Sequence, residues 1–322
     1  MNKKLKKGDR VAIISPSATI RDNLEAEILL KNGEKILTDF GLQVVYGKYA
    51  SEKLYYKSGS VDERISDIEW AFKDPKIKAI FCTQGGDNSN DLLQFLDWNV
   101  IKNNPKFFFG LSDITVLLNA MYKNTGQTCY YGLDIMWGLG KNATEYTIKN
   151  LKDLLFANSL SYKRHPDYPR WKVVRPGSTT GIYLGGCLPS FCLLLGTQND
   201  PLKTISRPFI LIIESVDESF SRIESYITQI SQQPNFKKYC RGIIIGYFFL
   251  CKEEIPENNR SVGDIVLEHT REYDFPIIEI KELGHAVENL LFPIGGNVAI
   301  KAHYVEVEII ARTNLKSDII TA

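Results

Sequence analysis

Phe107-Phe108-Phe109-Gly110-Leu111-Ser112-Asp113-Ile114-Thr115 begins as an apolar strand, turns through a glycine and a serine, and enters an amphipathic helix predicted over 114–123. A strand that feeds a helix this tightly is the repeating unit of a parallel sheet flanked by helices. The alternation continues upstream. An apolar strand is predicted over 11–14, a helix over 25–40 closed by Gly41 as a natural C-cap, and a strand over 42–46. A helix over 61–73 stops before Pro75, a buried strand spans 77–83, and helical spacing returns over 89–96.

From 157 to 180 the periodicity lapses into Ser, Pro, Arg, Trp and Gly, as in an interdomain linker or a substrate loop. The second half resumes with a strand over 181–187, a helix over 188–196, a strand over 209–214 and a helix over 219–232. It continues with a strand over 242–249 and a helix over 262–273, and closes with strands over 276–280, 298–302 and 304–310. The expectation is an α/β protein: an N-terminal parallel, Rossmann-like α/β domain over 1–156, a linker or substrate loop over 157–180, and a C-terminal α/β domain with a β-rich core over 181–322.

Composition narrows the function. The 322 residues are 44% hydrophobic, enough for a substantial core. With 39 basic and 38 acidic side chains the net charge is +1, which leaves no global field to hold a nucleic acid or an anionic membrane surface. The basic start is followed only by a strand-length apolar run, not a signal peptide's core, and no apolar stretch approaches the roughly twenty residues of a spanning helix. Cys82, Cys129, Cys187, Cys192, Cys240 and Cys251 are scattered, mostly in apolar runs, without a Cys-x-x-Cys pair. Buried free thiols in a reducing compartment, the cytoplasm, are the expectation. No H-E-x-x-H and no EF-hand loop is present, so neither a metal nor a cofactor is expected.

Four segments can carry chemistry. The turn at 110–113 can present the Ser112 hydroxyl at the sheet's carboxyl edge, with the helix N-terminus suited to a developing oxyanion. Ser and Asp are also favoured helix caps, and Ile114 occupies the second glycine position of a G-x-S-x-G elbow. Thr83-Gln84-Gly85-Gly86-Asp87-Asn88-Ser89-Asn90 follows a buried strand, and its glycines permit close backbone approach to a ligand or simply a tight turn. No G-x-G-x-x-G or P-loop pattern is present. The run Leu211-Ile212-Ile213-Glu214 ends a strand in a carboxylate that can orient a histidine or merely begin a surface loop. Of four histidines, His285 follows a glycine in a loop after a strand, whereas His165, His269 and His303 have bland surface or packing roles.

In this order, G-L-S-D at 110–113, G-G-x-N-S-N-x-L-L at 85–93, the strand ending in Glu214, and G-H with P-I-G-G at 284–296 resemble the LD-carboxypeptidase family of serine peptidases. The likeness extends to G-D-x-V-A-I-I-S-P-S at 8–17, E-R-x-x-D-I-x-x-A-F-x-D-P at 63–75 and L-G-G…L-L-G-T at 184–197. Within the family, the G-G-x-N-S-N run and Asn235-Phe236-Lys237 look more like the microcin C self-immunity branch, which cuts an amide bond in aminoacyl- or peptidyl-nucleotide antibiotics. The branch acting on cell-wall peptides more often carries an arginine before the glycine pair and G-Y-G after it; Gln84 and Asp87 stand here.

The resemblance implies a Ser112–Glu214–His285 triad formed where the two domains meet, with Ser112 as nucleophile, His285 as base then acid, and Glu214 orienting the imidazole. It implies an oxyanion hole from the amides of Asp113 and Gly86, substrate contacts from Gly85, Asn88 and Ser89, and a homodimer. Trp171 could stack on an adenine or pack the linker onto the body. Three departures from the family pattern, at Leu133-Asp134, Cys187 and Glu288, lie in segments expected near the substrate. The leading expectation is a serine peptidase or amidase of the immunity type acting on a small peptide or peptidyl-nucleotide. The alternatives are a murein tetrapeptide LD-carboxypeptidase and a non-catalytic two-domain binding protein.

Overall fold

Phe107, Phe108 and Phe109 alternate across the sheet, as the two-residue period of a strand requires, and both faces are buried. On one face Phe109 stacks on Phe81 at 4.5 Å and on Tyr130 at 5.1 Å. On the other Phe108 stacks on Phe72, from the helix Val61–Lys73, at 5.9 Å. A strand with two apolar faces needs helices on both sides. Val61–Lys73 and Thr115–Thr125 cover one side, and Ala26–Asp39 and Glu145–Lys152 the other. The computed structural model describes residues 4–141, 143–255, 257, 259–303 and 306–311.

The strands are β1 (Arg10–Ile14), β2 (Gln43–Tyr46), β3 (Ile77–Cys82), β4 (Phe107–Gly110), β5 (Cys129–Tyr131), β6 (Lys172–Arg175) and β7 (Gly177–Cys187). There follow β8 (Phe209–Val216), β9 (Cys240–Phe249), β10 (Ile277–Gly284), β11 (Phe292–Ile294), β12 (Asn297–His303) and β13 (Glu306–Ala311). Among the described residues they form one sheet in the order β2-β1-β3-β4-β5-β11-β7-β8-β9-β10-β6, with β12 joined to β7 and β13. The β2-to-β5 and β7-to-β10 blocks are parallel. The expected mixed α/β architecture with a large, mostly parallel sheet is therefore present.

β11 bridges the two parallel blocks, running antiparallel to β5 and parallel to β7. Two strands fall inside the 157–180 stretch that reads as irregular. β6 closes the sheet edge against β10, and β7 begins at Gly177 because its first residues pair antiparallel with β12. Neither pairing leaves a local signal, since each partner lies about a hundred residues or more downstream. The helix expected over 89–96 is a short 3-10 turn, Ser89–Leu92, followed by a helix Trp98–Asn103 that starts where Asp97 accepts from the Asn99 amide. The helix expected over 188–196 ends at Cys192. Of the terminal strand, Tyr304 lies outside the described residues, and β13 pairs with β12 from Glu306.

Candidate active site

The carboxyl ends of β3, β4, β8 and β10 converge, and each delivers one of the residues singled out above. β3 leads into Gly85-Gly86, β4 into Ser112, β8 carries Glu214 near its end, and β10 leads into His285. This is the edge at which open α/β sheets present their ligand sites.

Ser112 sits in the turn between β4 and the helix Thr115–Thr125 with φ at +61°, a conformation that costs a non-glycine residue energy and persists only when the surroundings enforce it. The Ser112 amide donates to the Tyr131 hydroxyl at 3.3 Å, and Tyr131 in turn donates to Glu214 Oε1. The other oxygen of Glu214, Oε2, lies 2.7 Å from His285 Nδ1. The Glu214 side chain is fully buried and that of His285 is 18% exposed. With Nδ1 engaged, Nε2 is the ring nitrogen left to exchange a proton. Burial pulls the His285 imidazole down, but the charge and hydrogen bond of Glu214, helped by Asp134, outweigh it and hold the pKa above the usual 6.5.

Asp113 fastens the Ser112 turn to the glycine loop. Its Oδ2 accepts from Ser17 Oγ at 2.5 Å and from the Ser89 amide at 2.8 Å, while its carbonyl accepts from Ser89 Oγ at 2.9 Å. Burial raises the Asp113 pKa, and the hydrogen bonds from Ser17 and Ser89 counter that rise. The glycine loop is pinned from behind as well: the Gly85 carbonyl accepts from the Ala18 amide at 3.1 Å. A Cβ on Gly85 would come within 2.6 Å of the Ser112 Cβ, so only glycine lets the loop pass so close to the serine.

The helix after Ser112 grips the second half of the chain. Thr115 Oγ1 accepts from the Cys187 amide at 2.9 Å, and Asn119 exchanges hydrogen bonds with the Gly185 backbone at 2.8 and 3.0 Å. Cys187 is the β7 residue in register with Glu214 on β8, so these bonds fix the serine turn relative to the carboxylate.

A cavity of about 520 Å³ opens over this floor. Gly85, Gly86, Ser112 and His285 line it, together with Gln84, Asp134, Trp137, Lys141, Asn289 and the apolar Ala18, Leu111, Val216, Phe249 and Val287. Other expected contacts lie elsewhere. Ser89 is buried beneath the loop on Asp113, and the Asn88 carbonyl is held at 3.2 Å by the buried Arg64. Trp171 is partly buried and donates from Nε1 to Glu282 at 2.8 Å, outside the cavity lining. Glu288 binds Thr144, Thr147 and His165, strapping the 157–171 stretch to the histidine loop. His165 is therefore a buried partner of Glu288 rather than a linker surface residue.

Several residues of the site carry no local signal in the sequence. Tyr131, Thr115 and Asn119 look like ordinary strand and helix residues, and acquire partners only when segments 66 to 83 positions apart meet, as for Asn119 with Gly185 and Tyr131 with Glu214. Trp137 and Lys141 lie on a widened π-type helical turn, Ile135–Lys141, a geometry often found at functional sites. Among the described residues no group of three or more His, Cys, Asp or Glu side chains is arranged to hold a metal ion. All six cysteines are free, and no helix among the described residues is long and apolar enough to cross a membrane.

The pattern of the LD-carboxypeptidase N-terminal domain matches residues 11–132 and that of the LD-carboxypeptidase C-terminal domain matches residues 180–300. The chain belongs to the LD-carboxypeptidase family, and is a hydrolase of the serine peptidase class. It is 27% identical to the microcin C7 self-immunity protein MccF of Escherichia coli over 91% of this chain and 90% of that protein. It is 26% identical to the murein tetrapeptide carboxypeptidase of Pseudomonas aeruginosa over 91% and 94% of the two chains. Among solved structures, an MccF-like protein from Bacillus anthracis superposes with a TM-score of 0.82 at 30% identity, covering 97% of this chain and 99% of that one.

Proposed function

We propose that this enzyme hydrolyses a peptide-like amide bond through Ser112, His285 and Glu214. The observation that carries this reading is the hydrogen-bonded Glu214–His285 pair at the floor of a cavity that Ser112 borders in a strained turn. Ser112 Oγ attacks the scissile carbonyl as His285 Nε2 takes its proton, and Glu214 holds the imidazolium. The amides of Gly86 and Asp113 receive the oxyanion; Gly85, beside the serine, lets the loop approach. Collapse of the tetrahedral intermediate breaks the C–N bond, and the amine departs with the proton from His285. Water activated by the same histidine then releases the acid and restores the Ser112 hydroxyl.

The cavity walls favour an aminoacyl- or peptidyl-nucleotide of the microcin C type over a murein LD-tetrapeptide. Trp137, Phe249, Leu111 and Val216 form flat or apolar walls suited to a base. Lys141 in the lining has its Nζ 4.8 Å over the Trp137 ring and 3.4 Å from Glu25, facing the proposed base wall. A free cation for a terminal carboxylate would support the murein reading instead. Trp137, rather than Trp171, is the tryptophan placed to stack on a base in this reading. We further place the enzyme in the cytoplasm, in keeping with six unpaired cysteines, and as a homodimer, as the family resemblance implies.

Turnover of an aminoacyl sulfamoyl adenosine and of an LD-tetrapeptide, measured side by side on the wild type and on Ser112→Ala, tests both parts. The expected result is faster hydrolysis of the nucleoside substrate and loss of both activities in the variant. Faster cleavage of the tetrapeptide would reverse the substrate assignment, and undiminished turnover by Ser112→Ala would remove the nucleophile.

A further inference from the structure

Asp134 lines the same cavity as Ser112 and His285, yet beyond adding to the charge that raises the His285 pKa it has no task in the acyl-transfer steps above. It stands at one of the three departures from the family pattern, where the tyrosine-glycine pair is followed by Leu133 and Asp134. The residue is 1% exposed. One carboxylate oxygen, Oδ1, accepts from the Trp137 and Gly138 amides, both at 2.8 Å, and caps the Ile135–Lys141 turn. That accounts for half of the group. Among the described residues no donor is paired with Oδ2 and no cation forms an ion pair with the carboxylate. Lys141, on the same turn, is directed to the Trp137 ring and Glu25, and His285 Nδ1 is bound to Glu214.

A buried carboxylate whose second oxygen has no hydrogen-bond donor, and whose balancing charge is a His285 imidazole not bonded to it, is costly, and such groups are kept where a ligand supplies the missing partner. The capping task alone would be met by a neutral asparagine, whose carbonyl oxygen accepts the same two hydrogen bonds. Burial pushes the Asp134 pKa up to about 6, against the pull of the Gly138 and Trp137 amides and of the His285 charge. We propose that Asp134 is a specificity-determining residue whose Oδ2 receives a free ammonium group on the acyl side of the substrate, next to the carbonyl attacked by Ser112. This assignment rests on the reading of Ser112 as nucleophile.

The test compares two substrates that differ at one group: an aminoacyl sulfamoyl adenosine with its free α-ammonium, and the analogue with a hydroxyl in that place. Wild-type enzyme is expected to favour the ammonium substrate in kcat/KM. Asp134→Asn is expected to lose roughly tenfold to a hundredfold on that substrate, the scale of a charge-assisted hydrogen bond, with little change on the hydroxyl analogue. An unchanged preference in Asp134→Asn, or an equal loss on both substrates, would overturn the proposal. Ser112→Ala run in parallel separates the failures: activity surviving in that variant refutes the nucleophile, whereas an inactive Ser112→Ala with an unchanged Asp134→Asn preference refutes the ammonium site alone.

Discussion

At the scale of single residues, the pH response expected of the proposed mechanism follows from His285 as its base. Its pKa is held above the usual 6.5, chiefly by Glu214 acting against burial. A general base must be neutral, so activity falls as pH drops through that raised value. Glu214→Gln removes the charge that raises it, and the acidic limb of kcat/KM is expected to shift to lower pH while kcat drops by about a hundredfold or more, as when a triad carboxylate is neutralised. A pH–rate profile checks both; an unmoved limb would show that another group governs it. The histidine and the serine were legible in the sequence only jointly, through the order of four motifs. Asp134 was visible as a departure from the family pattern, but its facing into the cavity depends on how the turn Ile135–Lys141 is placed beside Ser112 and His285 by the folded sheet.

At the scale of elements, the turn after β3 decides how near the backbone comes to the serine. Gly85→Ala places a Cβ within 2.6 Å of the Ser112 Cβ and 3.0 Å of its Oγ, so turnover is expected to fall at least about tenfold, with a smaller effect on the unfolding midpoint. Wild-type turnover in this variant would show that the loop can move aside without cost. Behind the loop, Arg64 makes a bidentate pair with Asp91 at 2.9 and 2.8 Å and donates to the Pro16 and Asn88 carbonyls. Asp91 keeps Lys57 at 2.9 Å, but Arg64→Met strands the Pro16 and Asn88 carbonyls and is expected to cost about 1–3 kcal/mol in chemical denaturation; a loss below about 0.5 kcal/mol would contradict that role. Ser89–Leu92 shows why local spacing misled. Leu92, Leu93 and Leu96 repeat like a helix face, but the Ser89 amide and hydroxyl are spent on Asp113, which bends the chain into a tight turn. The helix Val61–Lys73 was legible because its spacing and its stop before Pro75 are encoded within the segment itself, and the structure adds a Ser60–Glu63 capping box at its start.

At the scale of the whole molecule, β11 stitches the parallel blocks into one sheet, and Thr115 and Asn119 bind the end of β7 to the helix that follows Ser112. This continuity predicts a single calorimetric unfolding transition; two well-separated transitions would show that the halves melt independently. The alternation of strands and helices was readable because it is local, whereas the pairings of β5 with β11 and of β7 with β12 join distant segments and emerge only on folding. The most direct test of the account as a whole is chemical. The enzyme is quenched during turnover or treated with a fluorophosphonate, digested, and its peptides weighed by mass spectrometry. The account predicts a covalent adduct on the Ser112 hydroxyl, absent in Ser112→Ala; an adduct on another residue of a fully active enzyme, with Ser112 unmodified, would contradict it.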